Sequence, residues 1–476
     1  MIFLKNKIAQ KPVMSTSAKL MYGLGSLGFC VVSQTATSLL MYFGTVAHKM
    51  PGTLMGIAVF IGTIWDGASD PIFGSLSDRT KSKIFGRRHG YMFFGMFGVA
   101  LVNVLLWQLP PAFPVWLKFI WFVVFILLFQ TFNTIFQTPY QALGVELASS
   151  YDDRSSIEVF KTIFFLIGMI IPIVLLAVIF TDQTNVEQYQ TMAYIGSCVM
   201  LISSALAFMG TYNQLPRLNI KARTGTIEKK SVVGVFLDFF KSFKVKNFRA
   251  LVVGYSVSLM SAAFLTSIGL HFFQYTFGLD FFQTAVALGA LFIMTIFSQP
   301  IWMLISRKID KKGALILGVS IALAAILYEF YIFISYYYLH TIGENGLFLY
   351  LVAGMLVIGL GVGSIFSMPN SMMGDLIAVE QYRTGINKTG TYNAFMTFAY
   401  KLSQSLSSFT AGIILDIIGF KAGTDMSQKV FASLGWAVLS CIFIVLSISI
   451  IFFAQYGITK KDVQEITINV STEQLQ

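Results

Sequence analysis

The sequence predicts an all-α membrane protein of about twelve transmembrane helices in two six-helix halves. Three observations predict it. Of 476 residues, 56% are hydrophobic and only 12% charged, too little charged surface for a soluble chain of this length. Several apolar stretches exceed the roughly 20 residues that cross a hydrocarbon core as a helix. Basic residues are also distributed unevenly along the chain. The candidate outer loops hold only Lys49, Lys118, Lys421 and Lys429, Lys161 and Lys401 fall within helices, and the others collect in the alternate loops. That is the positive-inside pattern, and it places both termini in the cytoplasm. The net charge of +11 is thus assigned to a membrane face and not to nucleic acid.

The apolar spans are 18–46, 53–78, 89–110, 114–144, 157–180 and 191–213, then 248–276, 280–306, 313–340, 345–378, 388–419 and 430–456. Residues 1–212 form the first half. Residues 213–247, Lys-rich and broken by Pro216 and Gly225, are the expected cytoplasmic linker, with a short amphipathic helix at Val235–Phe243. Residues 248–458 form the second half and 459–476 a cytoplasmic tail. Met1 to Lys11 is basic and has no apolar stretch long enough for a cleavable signal. The halves echo each other weakly. Pro71-Ile72-Phe73-Gly74-Ser75-Leu76-Ser77-Asp78-Arg79 and Pro300-Ile301-Trp302-Met303-Leu304-Ile305-Ser306-Arg307-Lys308 each lie between the second and third span of a half, as in a parallel-repeat transporter. Cys30, Cys198 and Cys441 fall in apolar spans and form no disulfide framework.

The polar residues inside the spans carry the functional reading. Asp66 and Asp70 are four residues apart on one helix face, and an ionisable residue at that depth marks an ion or solute pathway by default. With Ser69 between them and Thr134 in the fourth span, the oxygen set suits either a hard cation or a proton shared by two carboxylates. Lys401 lies mid-span in a polar stripe with Asn393, Thr397, Gln404 and Ser408. Two Asp and one Lys sum to −1, so one bound monovalent cation makes the set neutral and fit to be occluded. Ser26, Cys30, Ser33, Gln34 and Thr37 stripe the first span, and Asn133, Thr134, Gln137 and Gln141 the fourth. Such residues serve either interhelical hydrogen bonds or a polyhydroxyl ligand, with Tyr140 and Tyr392 as stacking faces. Arg154, Glu158 and Lys161 share one face of the fifth span: Arg154 and Glu158 as an ion-pair ladder, Lys161 a turn deeper toward a ligand. Asp78, Arg79, Arg87 and Arg88 form an expected cytoplasmic gate that pairs differently in two states. His271, Glu329 and Asp416 stand near span ends with no assigned role.

Three stretches resemble the glycoside-pentoside-hexuronide:cation symporters of the major facilitator fold. They are Trp65-Asp66-Gly67-Ala68-Ser69-Asp70-Pro71 running on to Gly86-Arg87-Arg88, Phe136 to Leu143, and Gly374-Asp375-Leu376-Ile377 continuing through Arg383-Thr384-Gly385 and Lys401 to Gly419-Phe420. The resemblance implies alternating access and symport with a monovalent cation, Na⁺, H⁺ or Li⁺. It implies that Asp66, Ser69, Asp70 and Thr134 hold that cation, Lys401 couples it, and Lys161 contacts solute. Cys30, Gln34, Gln137, Gln141, Tyr392 and Thr397 complete the expected solute set. Galactoside-binding members carry aspartates where Cys30 and Gln137 align, so a pentoside, a glucuronide or another anionic solute fits better than a galactoside, the retained Lys161 tilting the site positive. The family pattern has an acidic residue at Ala378, which this chain lacks.

The expectation is therefore a symporter of a small polar solute, monomeric in the plasma membrane, with no cofactor and no catalytic residue. A lysophospholipid carrier is the alternative, since relatives of this fold with the same aspartates and lysine move lipids. A membrane prenyltransferase is the remote third reading. It also uses paired aspartates but needs a second aspartate-rich motif, which the second half lacks.

Overall fold

The computed structural model describes residues 14–80, 82, 84–147, 151–213, 242–384, 389–422 and 426–465. Twelve long helices run through them: α1 Thr16–Tyr42, α2 Gly52–Arg79, α3 His89–Leu106, α4 Val115–Leu147, α5 Tyr151–Ile179, α6 Val186–Tyr212, α7 Lys246–His271, α8 Phe281–Ile309, α9 Lys311–Tyr337, α10 Glu344–Thr384, α11 Thr389–Ile417 and α12 Gln428–Ala454. Each matches one expected span, with ends moved by a few residues. Eleven are long and apolar enough to cross a membrane, so the chain is multi-pass. The remaining one, α11, carries Lys401 together with Ser403, Ser405, Ser407 and Ser408, which lower its hydropathy. The linker expected at 213–247 and its amphipathic helix lie outside the described residues apart from their ends. Lys118 belongs to the first turn of α4, where it is buried, and not to a loop.

The chain divides into two compact units. One comprises Met1–Ala36, Trp65–Pro172 and Asn185–Glu228, the other Thr37–Ile64, Ile173–Thr184 and Lys229–Gln476. The units follow the two sequence halves except that the second takes in the end of α1, the start of α2 and the end of α5.

In the first unit, α1 is fastened to α4 by a reciprocal pair. The Tyr22 hydroxyl donates to the Tyr140 carbonyl at 3.0 Å and the Tyr140 hydroxyl to the Tyr22 carbonyl at 2.9 Å, the two rings stacked 4.6 Å apart. Tyr140, expected as a stacking face for solute, is buried in this clamp. Asn133 donates across the same pair of helices to the Ser33 hydroxyl at 3.0 Å. These are interhelical contacts of the kind that hold helices together where lipid offers no hydrophobic drive.

In the second unit, α11 is sewn to α7 by hydroxyls. Ser403 donates to the Ser256 carbonyl at 2.6 Å and Ser407 to the Met260 carbonyl at 2.8 Å, while the Ser267 and Ser408 hydroxyls meet at 3.0 Å. The far end of α11 meets the first turn of α2. There Asp416, unassigned by the sequence, accepts the Gly52 and Thr53 amides on its two carboxylate oxygens at 2.7 Å each. It thereby satisfies two of the orphan donors at a helix start. The backbones approach so closely that a Cβ on Gly412 would lie 2.2 Å from the Gly52 carbonyl oxygen. Backbone cannot rotate away as a side chain can, so Gly412→Ala is expected to destabilise the second unit by about 1–3 kcal/mol, read as a lowered midpoint of denaturation in detergent.

α1 and α7, the first helices of the two halves, each end in a five-residue π-helical turn, Phe43–Ala47 and Phe272–Thr276. Beside these turns the Thr45 hydroxyl and His271 Nε2 hydrogen-bond at 2.7 Å. The halves also share an ion pair. A basic residue beginning the third helix meets an acid near the end of the fourth: Arg88 with Glu146 at 2.9 Å in the first unit, and Lys311 with Asp375 at 2.6 Å in the second. Pro71 and Pro300 of the sequence echo lie inside α2 and α8.

Candidate cation and solute site

Asp66, Ser69 and Asp70 occupy successive turns of α2 and face α4 of the same unit. The Thr134 hydroxyl donates to Asp66 Oδ1 at 3.1 Å, and the Thr138 hydroxyl to Asp70 Oδ1 at 3.2 Å. Ser69 and Thr134 hydroxyls meet at 3.0 Å, both fully buried. The pairing is possible because α2 and α4 run in the same direction, so a four-residue step on one matches a four-residue step on the other. All four residues expected to hold the cation are thus brought together. Thr138 was missed, although its spacing of four from Thr134 repeats that of Asp70 from Asp66. Pro71 adds a further oxygen. Lacking an N–H, it leaves the Gly67 carbonyl, between the two aspartates, without its ordinary helical donor. Two carboxylates, three hydroxyls and a carbonyl form an all-oxygen donor set that fits a hard monovalent cation as co-substrate or a proton. Thr138→Val keeps shape while removing one hydroxyl, and is expected to raise the half-saturating cation concentration about 10-fold, the scale of losing an outer partner of a ligand, in ion-dependent uptake.

The expected solute residues separate into two groups. Gln34, Gln137 and Lys161 are half-buried, and Gln141 and Thr397 are exposed. Cys30 and Tyr392 are not placed to meet a solute. Cys30 is buried where α1 crosses α5, its Cβ 2.7 Å from where a Cβ on Gly168 would lie. Tyr392 is fully buried, its ring 4.5 Å from that of Phe248. Both pack against neighbouring helices, Cys30 although it lies on the polar stripe of the first span and Tyr392 although it reads as a stacking face. The accessible rings beside the charged residues are instead Trp65 and Tyr400, each 38% exposed. Trp65 is held by an indole N–H bond to the Thr131 hydroxyl at 2.8 Å, and Tyr400 accepts from the Gln404 amide at 2.8 Å. Lys161 pairs with Glu158 at 2.6 Å, so the described partner of Glu158 is Lys161 and not Arg154, whose side chain lies outside the described residues. The Lys161 carbonyl accepts the Ser26 hydroxyl at 2.7 Å, fixing this part of α5 against α1. Lys401 is half-buried on α11 in the second unit.

The basic run after α2 is organised by Arg88. Its guanidinium reaches the Asp78 carboxylate, the Ser77 hydroxyl at 2.5 Å and Glu146 at 2.9 Å, while Arg87 binds the same Glu146 oxygen at 2.6 Å. Glu146 was not anticipated, and Arg79 is exposed. The cluster ties the end of α2, the start of α3 and the end of α4 within one unit.

Residues 21–460 match the family model for MFS/sugar transport proteins. An uncharacterized symporter of Synechocystis sp. is 25% identical, over 85% of this chain and 86% of its own length. The sodium-dependent lysophosphatidylcholine symporter 1-A of Danio rerio is 21% identical, over 97% of this chain and 89% of its own. Among solved structures, a point mutant of the nucleoside transporter NupG superposes with a TM-score of 0.67 at 14% identity, covering 93% of this chain and all of that one. The D-xylose-proton symporter gives 0.61 at 14% identity, covering 90% and 96%. With the fold and nearly the whole length matched, the chain belongs to the MFS/sugar transport protein family of membrane transporters.

Proposed function

We propose that the protein is a cation-coupled symporter of a small polar solute, a glycoside, pentoside or hexuronide, working by alternating access. The observation that carries this reading is the double pairing of Asp66 with Thr134 and Asp70 with Thr138, an oxygen-lined acidic site within two membrane-capable helices. In this reading Na⁺ or H⁺ binds there first. Gln34, Gln137, Gln141, Lys161 and Thr397 bind solute, Trp65 and Tyr400 offer stacking faces, and Lys401 is the coupling residue. Linkage then requires cation and solute to raise each other's affinity equally.

A lysophospholipid or other amphiphile is the second reading, favoured by the lysophosphatidylcholine symporter that aligns over 97% of the chain and by the uncharged Gln137 in the expected solute set. No observation favours a prenyltransferase. Uptake into proteoliposomes, screening xylosides, glucuronides, galactosides and lysophosphatidylcholine under a Na⁺ or a pH gradient, separates these readings. A polar solute that drives ion uptake supports the first, and uptake of the lysolipid alone supports the second. Solute transport that ignores both gradients would overturn coupling.

A further inference from the structure

Glu329 lies well inside α9, fully buried, and neither carboxylate oxygen has a hydrogen-bond partner among the described residues. The sequence placed it near a span end, which this position corrects. Its Oε1 occupies the space left by a missing side chain on α10: a Cβ on Gly354 would lie 1.9 Å away. The carboxyl is therefore seated in a pocket that a glycine opens, against backbone and the ring of Tyr328.

The helices packed on α9 are α8, α10 and α12. Phe281–Ser306, Gly346–Gly374 and Val430–Ala454 contain no Asp, Glu, Lys, Arg or His. The titratable groups on those stretches are Tyr350 of α10 and Cys441 of α12, with none on α8, and on α9 itself the neighbours are Tyr328 and Tyr331. A bare carboxylate in this setting has no compensating charge or donor, a cost no folded membrane protein carries for long. A metal ion would need several oxygen ligands, and no cluster of His, Cys, Asp and Glu able to hold one occurs among the described residues. One ligand small enough to neutralise the group without further partners remains.

We propose that Glu329 is a proton-binding site, loaded in this conformation and distinct from Asp66 and Asp70. The inference does not rest on the transport reading. Its consequence is a linkage. An ordinary Glu in the unfolded chain ionises near about pH 4.3. Above that pH, unfolding releases the proton that Glu329 holds, so the unfolding equilibrium rises about tenfold per pH unit until the folded group itself ionises. Stability conferred by the loaded site is greatest at low pH and is lost as pH rises.

The test uses the full chain in lipid nanodiscs, wild type beside Glu329→Gln, which keeps shape and cannot ionise. Infrared spectra at pH 7 are expected to show one protonated-carboxyl carbonyl band that the variant lacks, and wild-type stability between pH 5 and 8 is expected to fall about tenfold per unit relative to the variant. Spectra without that band, or parallel pH profiles, would overturn the proposal. Should Glu329→Gln fail to fold, wild-type protein labelled with ¹³C-carboxyl glutamate decides alone: an isotope-shifted protonated band at pH 7 supports the site, and its absence overturns it. Neither readout involves transport, so failure here leaves the symport reading standing.

Discussion

Asp66→Asn and Asp70→Asn are each expected to weaken the coupling cation by at least about 100-fold and to abolish ion-driven accumulation of solute. The magnitude follows from position. Losing a group that merely supports a ligand costs about 10- to 100-fold in metal sites, and here one of the two charged ligands is itself removed, leaving a single carboxylate among neutral oxygens. Asparagine keeps a carbonyl oxygen to accept the Thr134 or Thr138 hydroxyl that now lies 3.1 or 3.2 Å from the carboxylate, so the helix pair stays assembled and the loss is one of charge. The charge sum sharpens the expectation. With Lys401, either variant is neutral before any cation binds, so a neutral solute can be carried without an ion. The predicted phenotype is equilibration without accumulation, measured as solute exchange retained while gradient-driven uptake vanishes. Wild-type ion dependence in both variants would show that the aspartates are structural.

Arg88→Ala is expected to cost the first unit about 2–3 kcal/mol, seen as a lowered denaturation midpoint in detergent. The arginine side chain is 8% exposed and collects Asp78, Ser77 and Glu146. Removing it leaves acids facing one another in a part-buried pocket. The loss stays below that of a fully buried pair because Arg87 remains on Glu146 and the Asp78 side chain is 39% exposed. Arg88→Lys restores the charge but not the planar fork that reaches three partners at once, so it should recover only part of the stability. Equal stability of Arg88→Ala and wild type would contradict the account.

The helices were legible because length and apolarity suffice to find a membrane span, and Asp66 and Asp70 stood out because aspartates at that depth have few reasons to exist. What stayed hidden depended on partners distant in sequence. Nothing in the local pattern around Asp416 announces that it serves the amides of Gly52 and Thr53, more than 360 positions earlier. Glu146 likewise takes its role from Arg87 and Arg88, almost 60 positions earlier. Cys30, Tyr140 and Tyr392 show the opposite failure. Cys30 sits on a polar stripe and the two tyrosines read as stacking faces, yet close neighbours turn each into packing. Periodicity gives the face of a helix but not which neighbour that face meets.

The two π-helical turns set the direction in which the chain leaves α1 and α7. An α-helix advances about 100° per residue, and a π turn takes in one extra residue, so each shifts the angular phase of everything beyond it by that amount. One lies at the end of the first helix of both halves, over Phe43–Ala47 and Phe272–Thr276, so both helices hand the chain on with the same added rotation. The two segments, Phe-Gly-Thr-Val-Ala and Phe-Phe-Gln-Tyr-Thr, share only their first residue. Different side chains thus adopt the same backbone offset at the same place, so removing the extra residue from either would change the direction in which the chain leaves that helix by about 100°.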